Sequence, residues 1–472
     1  MCPLPLMLAF LRNITPPETY SRLTAFAMHI LIILSFWLFG FSVFDVDSIV
    51  AHAAPLTPIT SAPAHLLTLS AAMKYAIENS PALHATEQNL EASTHASSAQ
   101  WNSSYLPRLS LNGNLRHVSE VPEIQIGPSK MPFGDHKGYS VGPALTYTIW
   151  DSGSRGNLQD SLIELVKAKR ELKEATALQV QLVTETAYIQ TQLTQEVLEL
   201  TRKAAELSRG QNHDIARRLH SGAVSQLDAM AAQMDVSLYE LKVAQSEGDF
   251  ATSVAELQAL VGPLDETSEL RLENLTDSAE RSAQMKPPPL SHEHPQILAQ
   301  THLAKSLTAA AQAQSSGYWP TLQAQVKSTI DYPNGPILEE IHQNTAMVNM
   351  SWSLWDWGST KNLTAEKRAE AQAAEFQKEQ MDIEWDRDYQ KASALLESLR
   401  TQRKKANDLA QQAERLAKLN YSTYKVGKLT FLQVQTANLK WLEARIRKTQ
   451  VDAQFLSMSH HLKFLAGIKE TP

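Results

Sequence analysis

The chain has 472 residues, with 43 basic against 50 acidic side chains, 17 glycines and a single cysteine, Cys2. The near-even charge excludes a basic field for nucleic acid, and one cysteine excludes a disulfide framework or a cysteine-built metal site. Long stretches dominated by Ala, Gln, Leu and Glu are helix-forming composition, and the length has room for two or three ordinary domains.

The chain opens with a targeting segment. Arg12 and Arg22 precede an apolar run from Leu23 to Phe44, and Ala51-His52-Ala53 places small residues where a signal peptidase reads. Cleavage is expected after Ala53, which makes 1–53 a removed signal peptide and takes away Cys2 with it. The same run is long enough to span a bilayer if retained. A Pro-rich polar segment from Pro55 to Pro63 follows at once and favours cleavage. Residues 54–80 then form an N-terminal periplasmic segment.

The rest is written twice. Trp150-Asp151-Ser152-Gly153 matches Trp355-Asp356-Trp357-Gly358, Gly222 matches Gly427, and Gly262 matches Gly467. The three glycine pairs share one offset of 205 residues. Upstream, Pro81 and Tyr105-Leu106-Pro107 answer Pro295 and Tyr318-Trp319-Pro320. Two repeats of this length point to internal duplication rather than a solenoid of short units. The expected organisation is a first repeat over 81–262, a linker over 263–291, a second repeat over 292–467 and a short tail over 468–472. Pro287, Pro288 and Pro289 keep the linker from continuing a helix.

Each half begins with a predicted helix, 81–104 and 295–317. Two alternating segments follow. From Tyr139 to Ile149 the odd positions are mostly apolar and the even ones small or polar, and Ala346 to Leu354 alternates likewise. Arg108 to Val118 and Thr321 to Ile330 show the pattern more weakly. Period two means one apolar and one polar face. Four such strands of about ten residues, flanked by Trp101, Tyr105, Trp150, Trp319, Trp355 and Trp357, carry the pattern of a transmembrane β-barrel with interfacial aromatics. A half-buried soluble sheet is the plainer alternative for any one segment.

After the strands, no proline occurs from Gly153 to about Leu219 or from Gly358 to about Tyr424. Each run predicts a helix about 100 Å long. Shorter helices return over about Val224 to Leu260 and Phe431 to Leu465. The short first helix stacked on the return helix matches the long one, so each half makes two helical columns. Helices this long need coiled-coil neighbours. Four strands cannot close a barrel, and an open edge in lipid leaves backbone groups unpaired, so the chain is expected to oligomerise. Two copies would fill their barrel with side chains, whereas three would give twelve strands and a lumen. The fold class expected is mainly α with a membrane β part.

At this point the sequence resembles the TolC family of outer-membrane efflux and secretion channels. The resemblance covers about residues 66–468 and rests on the duplicated half, the two Trp-Asp-x-Gly turns and the two hairpin turns. Those turns run from Arg218 through Gly222, Ser225 and Asp228, and from Tyr424 through Gly427, Lys428 and Thr430 to Gln433. The resemblance implies a homotrimer, with a twelve-stranded barrel in the outer-membrane lipid and a twelve-helix tunnel in the periplasm. It implies that the turns are periplasmic tips, where a periplasmic adaptor protein tied to an inner-membrane pump or ABC exporter meets the channel, as in tripartite efflux or type I secretion. Family members often carry acidic residues just after the second turn, where Gln433 and Thr436 stand here.

The turn residues also have a plain structural role. Gly222 and Gly427 suit left-handed helix ends, and Ser225 with Asp228 and Thr430 with Gln433 fit capping boxes. Arg217, Arg218, Lys425 and Lys428 suit helix C-termini and equally suit an acidic adaptor surface. His292-Glu293-His294 and His460-His461 lack metal-ligand spacing, and no nucleophile motif or phosphate loop occurs. Neither a metal, a cofactor nor an enzyme activity is therefore expected. The competing reading is a periplasmic coiled-coil adaptor anchored by an uncleaved N-terminal helix. A periplasmic spacer without a channel is a third.

Overall fold

The structure, a computed structural model, describes residues 67–262 and 271–468. The expected signal peptide and its cleavage site, part of the linker and the end of the tail lie outside the described residues. Helix α1 (Leu69–Asn79) is followed by α2 (Pro81–Tyr105), strands β1 (Arg108–His117), β2 (Glu123–Ile126), β3 (Ser129–Pro132) and β4 (Lys137–Trp150), then α3 (Ser154–His220) and α4 (Gln226–Val261). A short α5 (Leu275–Ala283) leads to α6 (Pro295–Ser315), β5 (Thr321–Tyr332), β6 (Ile341–Ser351), α7 (Ser359–Lys425) and α8 (Phe431–Leu465). Helix α1, within the expected N-terminal segment 54–80, stands where the sequence reading had no element, and so do two others. The linker carries α5, capped by the Asn274 side chain on Asp277 N–H at 3.2 Å. The connection between β1 and β4 carries the small β2–β3 hairpin, turning on Gly127.

The two long helices have 67 residues each, which is about 100 Å. Each starts from the same turn. Asp151 Oδ2 accepts from Arg155 N–H at 2.9 Å, and Asp356 Oδ2 accepts from Thr360 N–H at 2.7 Å. These carboxylates satisfy donors that a helix start leaves unpaired. The two residues before each helix have positive φ: Ser152 (56°) and Gly153 (84°), Trp357 (56°) and Gly358 (83°). The Trp-Asp-x-Gly motif is thus a strand-to-helix corner with its own cap.

Helix neighbours follow from length. Towards the strands, α2 packs on α3, α3 on α6 and α6 on α7. Away from the strands, α4 packs on α3, α3 on α8 and α8 on α7. The column of α2 and α4 therefore forms one flank and α7 the other. The buried seams between helices are rich in small residues, among them Ala168, Ala175, Ala204, Ala374, Ala410 and Ala417, as close lateral packing requires. Larger side chains gather midway. Tyr188, Leu257 and Val261 meet Leu67, Ala72 and Leu272, while Leu396, Leu399, Phe455 and Leu462 form the matching cluster between α7 and α8. Each buried Leu or Val contributes about 1.5–3 kcal/mol. Tyr188 also ties the chain together: its hydroxyl donates to Leu67 C=O at 2.7 Å and accepts from Glu273 N–H at 3.2 Å.

The four long strands form one antiparallel sheet in the order β1-β4-β5-β6. In register, Leu109 pairs Leu145, Leu145 pairs Val326 and Val326 pairs Ala346. The neighbouring row runs Ser110, Ala144, Lys327, Thr345. Directly paired residues share a face, so the sheet has one apolar and one polar face.

Candidate functional site: an uncovered sheet and two helical tips

Among the described residues, no element covers the apolar face of the sheet. Leu109, Leu111 and Leu115 are 72–81% exposed, and Val348 and Met350 are 65% exposed. An uncovered apolar face of this size marks contact with lipid or another protein. The small and polar face is the tighter one, with Gly138, Gly142 and Ala144 buried. Trp101, Tyr105, Trp150, Trp319, Trp352, Trp355 and Trp357 all stay exposed where strands meet helices. Aromatic rings at that level suit a membrane interface. β1 and β6 are each paired on one side only. Among the described residues no helix is long and apolar enough to cross a membrane.

At the other end lie the two turns. Gly222 (φ 73°) and Gly427 (φ 78°) are in the left-handed conformation. Ala223 N–H donates to Arg218 C=O at 2.9 Å and Gly222 N–H to Leu219 C=O at 2.9 Å. Lys428 and Gly427 repeat this on Thr423 and Tyr424, at 3.2 and 2.9 Å. Both ends are Schellman motifs, and neither glycine has any atom near where a Cβ would sit. The Ser225 hydroxyl accepts from Asp228 N–H at 3.1 Å, and Gln433 Oε1 accepts from Thr430 N–H at 3.0 Å.

The structure brings the two turns together. Arg218 Nη1 donates to Lys425 C=O at 3.1 Å. Beneath them Ile215, Ala232, Tyr424, Phe431 and Val434 form a buried apolar cluster drawn from all four tip helices. Tyr424 is one of its walls, its ring 5.6 Å from that of Phe431 and tilted 58° to it, and burial followed by the nearby Asp228 carboxylate pushes its hydroxyl pKa up. Lys428 and Gly427 stay exposed at the rim.

The tip also holds groups that sequence reasoning missed. The Tyr421 hydroxyl donates to Asp214 Oδ2 at 2.8 Å, and Arg217 and Lys425 pair with the same carboxylate, Lys425 at 3.6 Å. The Tyr421 hydrogen bond, then Arg217, holds the Asp214 carboxyl below its ordinary range, while burial and then Asp214 push the Tyr421 hydroxyl up. One step inward, Asn438 Nδ2 donates to Gln211 Oε1 at 2.9 Å, with both side chains buried, and Gln435 Nε2 donates to Ala231 C=O at 3.0 Å. These links join the α3–α4 hairpin to the α7–α8 hairpin. One signal existed in the sequence: at the repeat offset, Asp214 faces Leu419 and Tyr421 faces Ala216, so both depart from the duplication.

Two of the histidines singled out in the sequence serve the fold. His294 Nδ1 accepts from Gln296 N–H at 3.2 Å and caps α6, and His460 lies 3.2 Å from Glu185 in the buried interior. Among the described residues no group of three or more His, Cys, Asp or Glu side chains is arranged to hold a metal ion.

The family model described as outer membrane efflux protein matches residues 72–263 and 290–468. No curated protein matches the chain in sequence. Among solved structures, CusC is similar with a TM-score of 0.73 at 14% identity, over 84% of this chain and 92% of that one. The CmeC outer membrane channel of Campylobacter jejuni gives 0.70 at 14% identity, covering 84% and 85%. The MtrE outer membrane channel of Neisseria gonorrhoeae in its open state gives 0.67 at 15% identity, covering 86% and 90%. At these identities the likeness is one of fold.

Proposed function

The chain belongs to the outer membrane efflux protein family, and from that premise we propose that it is one subunit of a three-copy exit duct for cargo handed over in the periplasm. The family places it in the outer membrane as an efflux channel and sets aside the adaptor reading. The carrying observation for three copies is the sheet: four strands, open at both edges, with one uncovered apolar face. Lipid does not tolerate unpaired strand edges. Joining β1 of one copy to β6 of the next satisfies both edges, and three copies give twelve strands with a lumen. The helical columns then continue the wall away from the membrane.

The duct itself supplies no energy, since the sequence has no phosphate-binding motif. The tips are the natural contact for a periplasmic adaptor and, through it, an inner-membrane pump or ABC exporter. Arg218, Lys425 and Lys428 give that end a basic rim for an acidic partner surface. Small molecules and polypeptides both fit a duct of this kind as cargo. The test is the protein-only molar mass of the mature chain extracted from outer membranes in detergent, with conductance in planar bilayers. Three chains and a conducting pore are expected; a detergent-independent monomer would sink the reading. For the tip, Lys428→Glu should leave the trimer and its conductance intact and reduce export at least tenfold. Unchanged export would remove the tip from partner contact.

A further inference from the structure

The polar face of the four-stranded sheet carries few charges, and nearly all have one sign. Strands β1, β4, β5 and β6 hold four cationic side chains, Arg108, Arg116, Lys137 and Lys327, and one carboxylate, Asp331. Register assigns their faces. Lys327 pairs Ala144 on one side and Thr345 on the other, Arg116 pairs Gly138, and Arg108 pairs Thr146. All three cations therefore stand on the small and polar face. Lys137 pairs His117, two residues from the Leu115–Tyr139 pair, and so belongs to the apolar face. Asp331 shares the polar face but is engaged, its Oδ2 accepting from the Thr329 hydroxyl at 2.9 Å. Among the described residues, Arg108, Arg116 and Lys327 have no carboxylate partner.

Resting on the three-copy reading above, we propose that Lys327 sets the charge preference of the duct. Three copies place a ring of ammonium groups in the lumen at mid-barrel, and the cargo this ring favours is small organic molecules carrying a carboxylate or phosphate. The apolar face must meet lipid, so the polar face lines the lumen. Lys327 is the seventh of the twelve residues of β5. It lies about 20 Å along the strand from its start, which at a tilt of about 40° is about 15 Å of height. That is close to the middle of an apolar band about 25 Å tall.

Three observations give the ring its effect. First, its field reaches the whole lumen. Twelve strands about 4.8 Å apart at that tilt enclose a ring about 24 Å across between backbones. The axis is then about 12 Å from each backbone, and the lysine side chain spans part of that, which leaves less than about one Debye length, about 8 Å at physiological salt. Low-dielectric walls focus such a field. Second, nothing beside Lys327 compensates it: the rows at its level are the hydroxyls and amides of Ser110, Gln325 and Thr345 and the methyl of Ala144. The strand gains nothing from the residue itself, since lysine is depleted in strands and this one makes no pair. Third, the sign repeats along the path. Arg108 at the helix end of β1 and Arg116 near its far end flank the ring, and the tip rim of Arg218, Lys425 and Lys428 is basic as well. An anion meets successive counter-charges, whereas a cation is repelled at each. Rings of Lys or Arg are how pores select anions.

The test is the reversal potential of the purified channel in planar bilayers under a KCl gradient, on a Cys2→Ser background. The parent should pass chloride over potassium by at least about twofold, and benzoate should carry current when it replaces chloride. Lys327→Gln should lower the chloride-to-potassium ratio at least about twofold and lower the benzoate current. Lys137→Gln removes the same charge from the lipid-facing row and should leave both unchanged. Lys327→Cys, labelled after insertion, separates charge from assembly. A trimethylammonium thiosulfonate reagent should restore the anion preference and a sulfonate one should reverse it, in the same folded pore. Molar mass is measured on every sample. A three-copy conducting channel whose ion preference is the same in the parent, Lys327→Gln and both labelled forms overturns the proposal and leaves the duct reading intact. So does a parent that prefers potassium, or an equal shift from Lys137→Gln. A parent that is not three-copy, or does not conduct, overturns both.

Discussion

The two halves of the chain turn their backbone in the same places and fill the space between differently. Gly153 and Gly358, and Gly222 and Gly427, share φ within 5°. Between those points the halves diverge because equivalent residues occupy unequal positions. β4 is an inner strand, but its counterpart β6 is an edge. α4 lies on a flank, but its counterpart α8 lies between α3 and α7. α8 accordingly buries 15 of its 35 residues and α4 only 7 of 36. Duplication has preserved the steric requirements of corners, and position in the wall has decided everything else.

Gly142 and Met347 give the sharpest contrast. They stand 205 residues apart at equivalent strand positions. A Cβ on Gly142 would fall 1.9 Å from the Ser328 carbonyl oxygen and 2.7 Å from Thr329 Cα, and both are backbone atoms that cannot step aside. Gly142→Val should abolish the assembled channel, read as loss of the proposed three-copy molar mass from detergent-extracted outer-membrane fractions. Met347→Val should leave it at parental level. Equal assembly from both variants would show that an inner and an edge position are not distinguished as argued.

A smaller contrast lies in the return helices. Asp452 is 2% exposed and meets Arg403 Nε at 2.6 Å and Lys448 Nζ at 3.0 Å. Arg403 also donates to Ala279 C=O and Lys448 to Thr276 Oγ1, which pins α5 to α7 and α8. The counterpart of Asp452 is Glu247, an exposed partner of Arg202. Removing the Asp452 charge leaves two cations with little water, a loss of about 3–5 kcal/mol. Glu247→Gln should cost under about 1 kcal/mol. Urea unfolding of Asp452→Asn and Glu247→Gln checks the pair. A loss below 1 kcal/mol for Asp452→Asn would mean that water reaches the triad.

That asymmetry explains what could be read in the sequence. Glycine spacing, the Trp-Asp-x-Gly corners and proline-free runs report on backbone geometry, and they gave the long helices, the strand pairs and the turns. Strand alternation reports on faces, and it gave the uncovered apolar sheet. The Asp452 triad and the Asp214–Tyr421 link were not legible, because a charge every three or four residues on a helix reads as a solvated face until its neighbours are known. Arg403 and Lys448 come from different helices, and only the order of helices in the wall makes them meet. The α5 helix was missed for a related reason: its nine residues are too few to show a period, and it is held by partners on α8.

The helix starts after Ser80 and His294 offer the finest comparison, since both residues precede a proline and both act as caps. Ser80 accepts from Leu83 N–H with a hydroxyl that does not titrate. His294 accepts through Nδ1, so its proton is on Nε2, and its ring is fully buried against Trp385 and Phe464 at 4.4 and 5.2 Å. Burial pushes its pKa down to about 4. The unfolded chain takes up that proton near pH 6.5, while the folded chain resists it. The stabilisation from a neutral His294 is therefore complete above about pH 6.5 and is lost as pH falls from there to about 4, by on the order of 3 kcal/mol. His461 is also depressed by burial, so the comparison is with the parent rather than with a flat line. His294→Ser should keep the cap, lose some packing at neutral pH, and lose less stability than the parent between pH 7 and 4. Parallel losses in denaturant midpoint over that range would show that His294 stays uncharged in neither state, or that the acid sensitivity belongs to other groups.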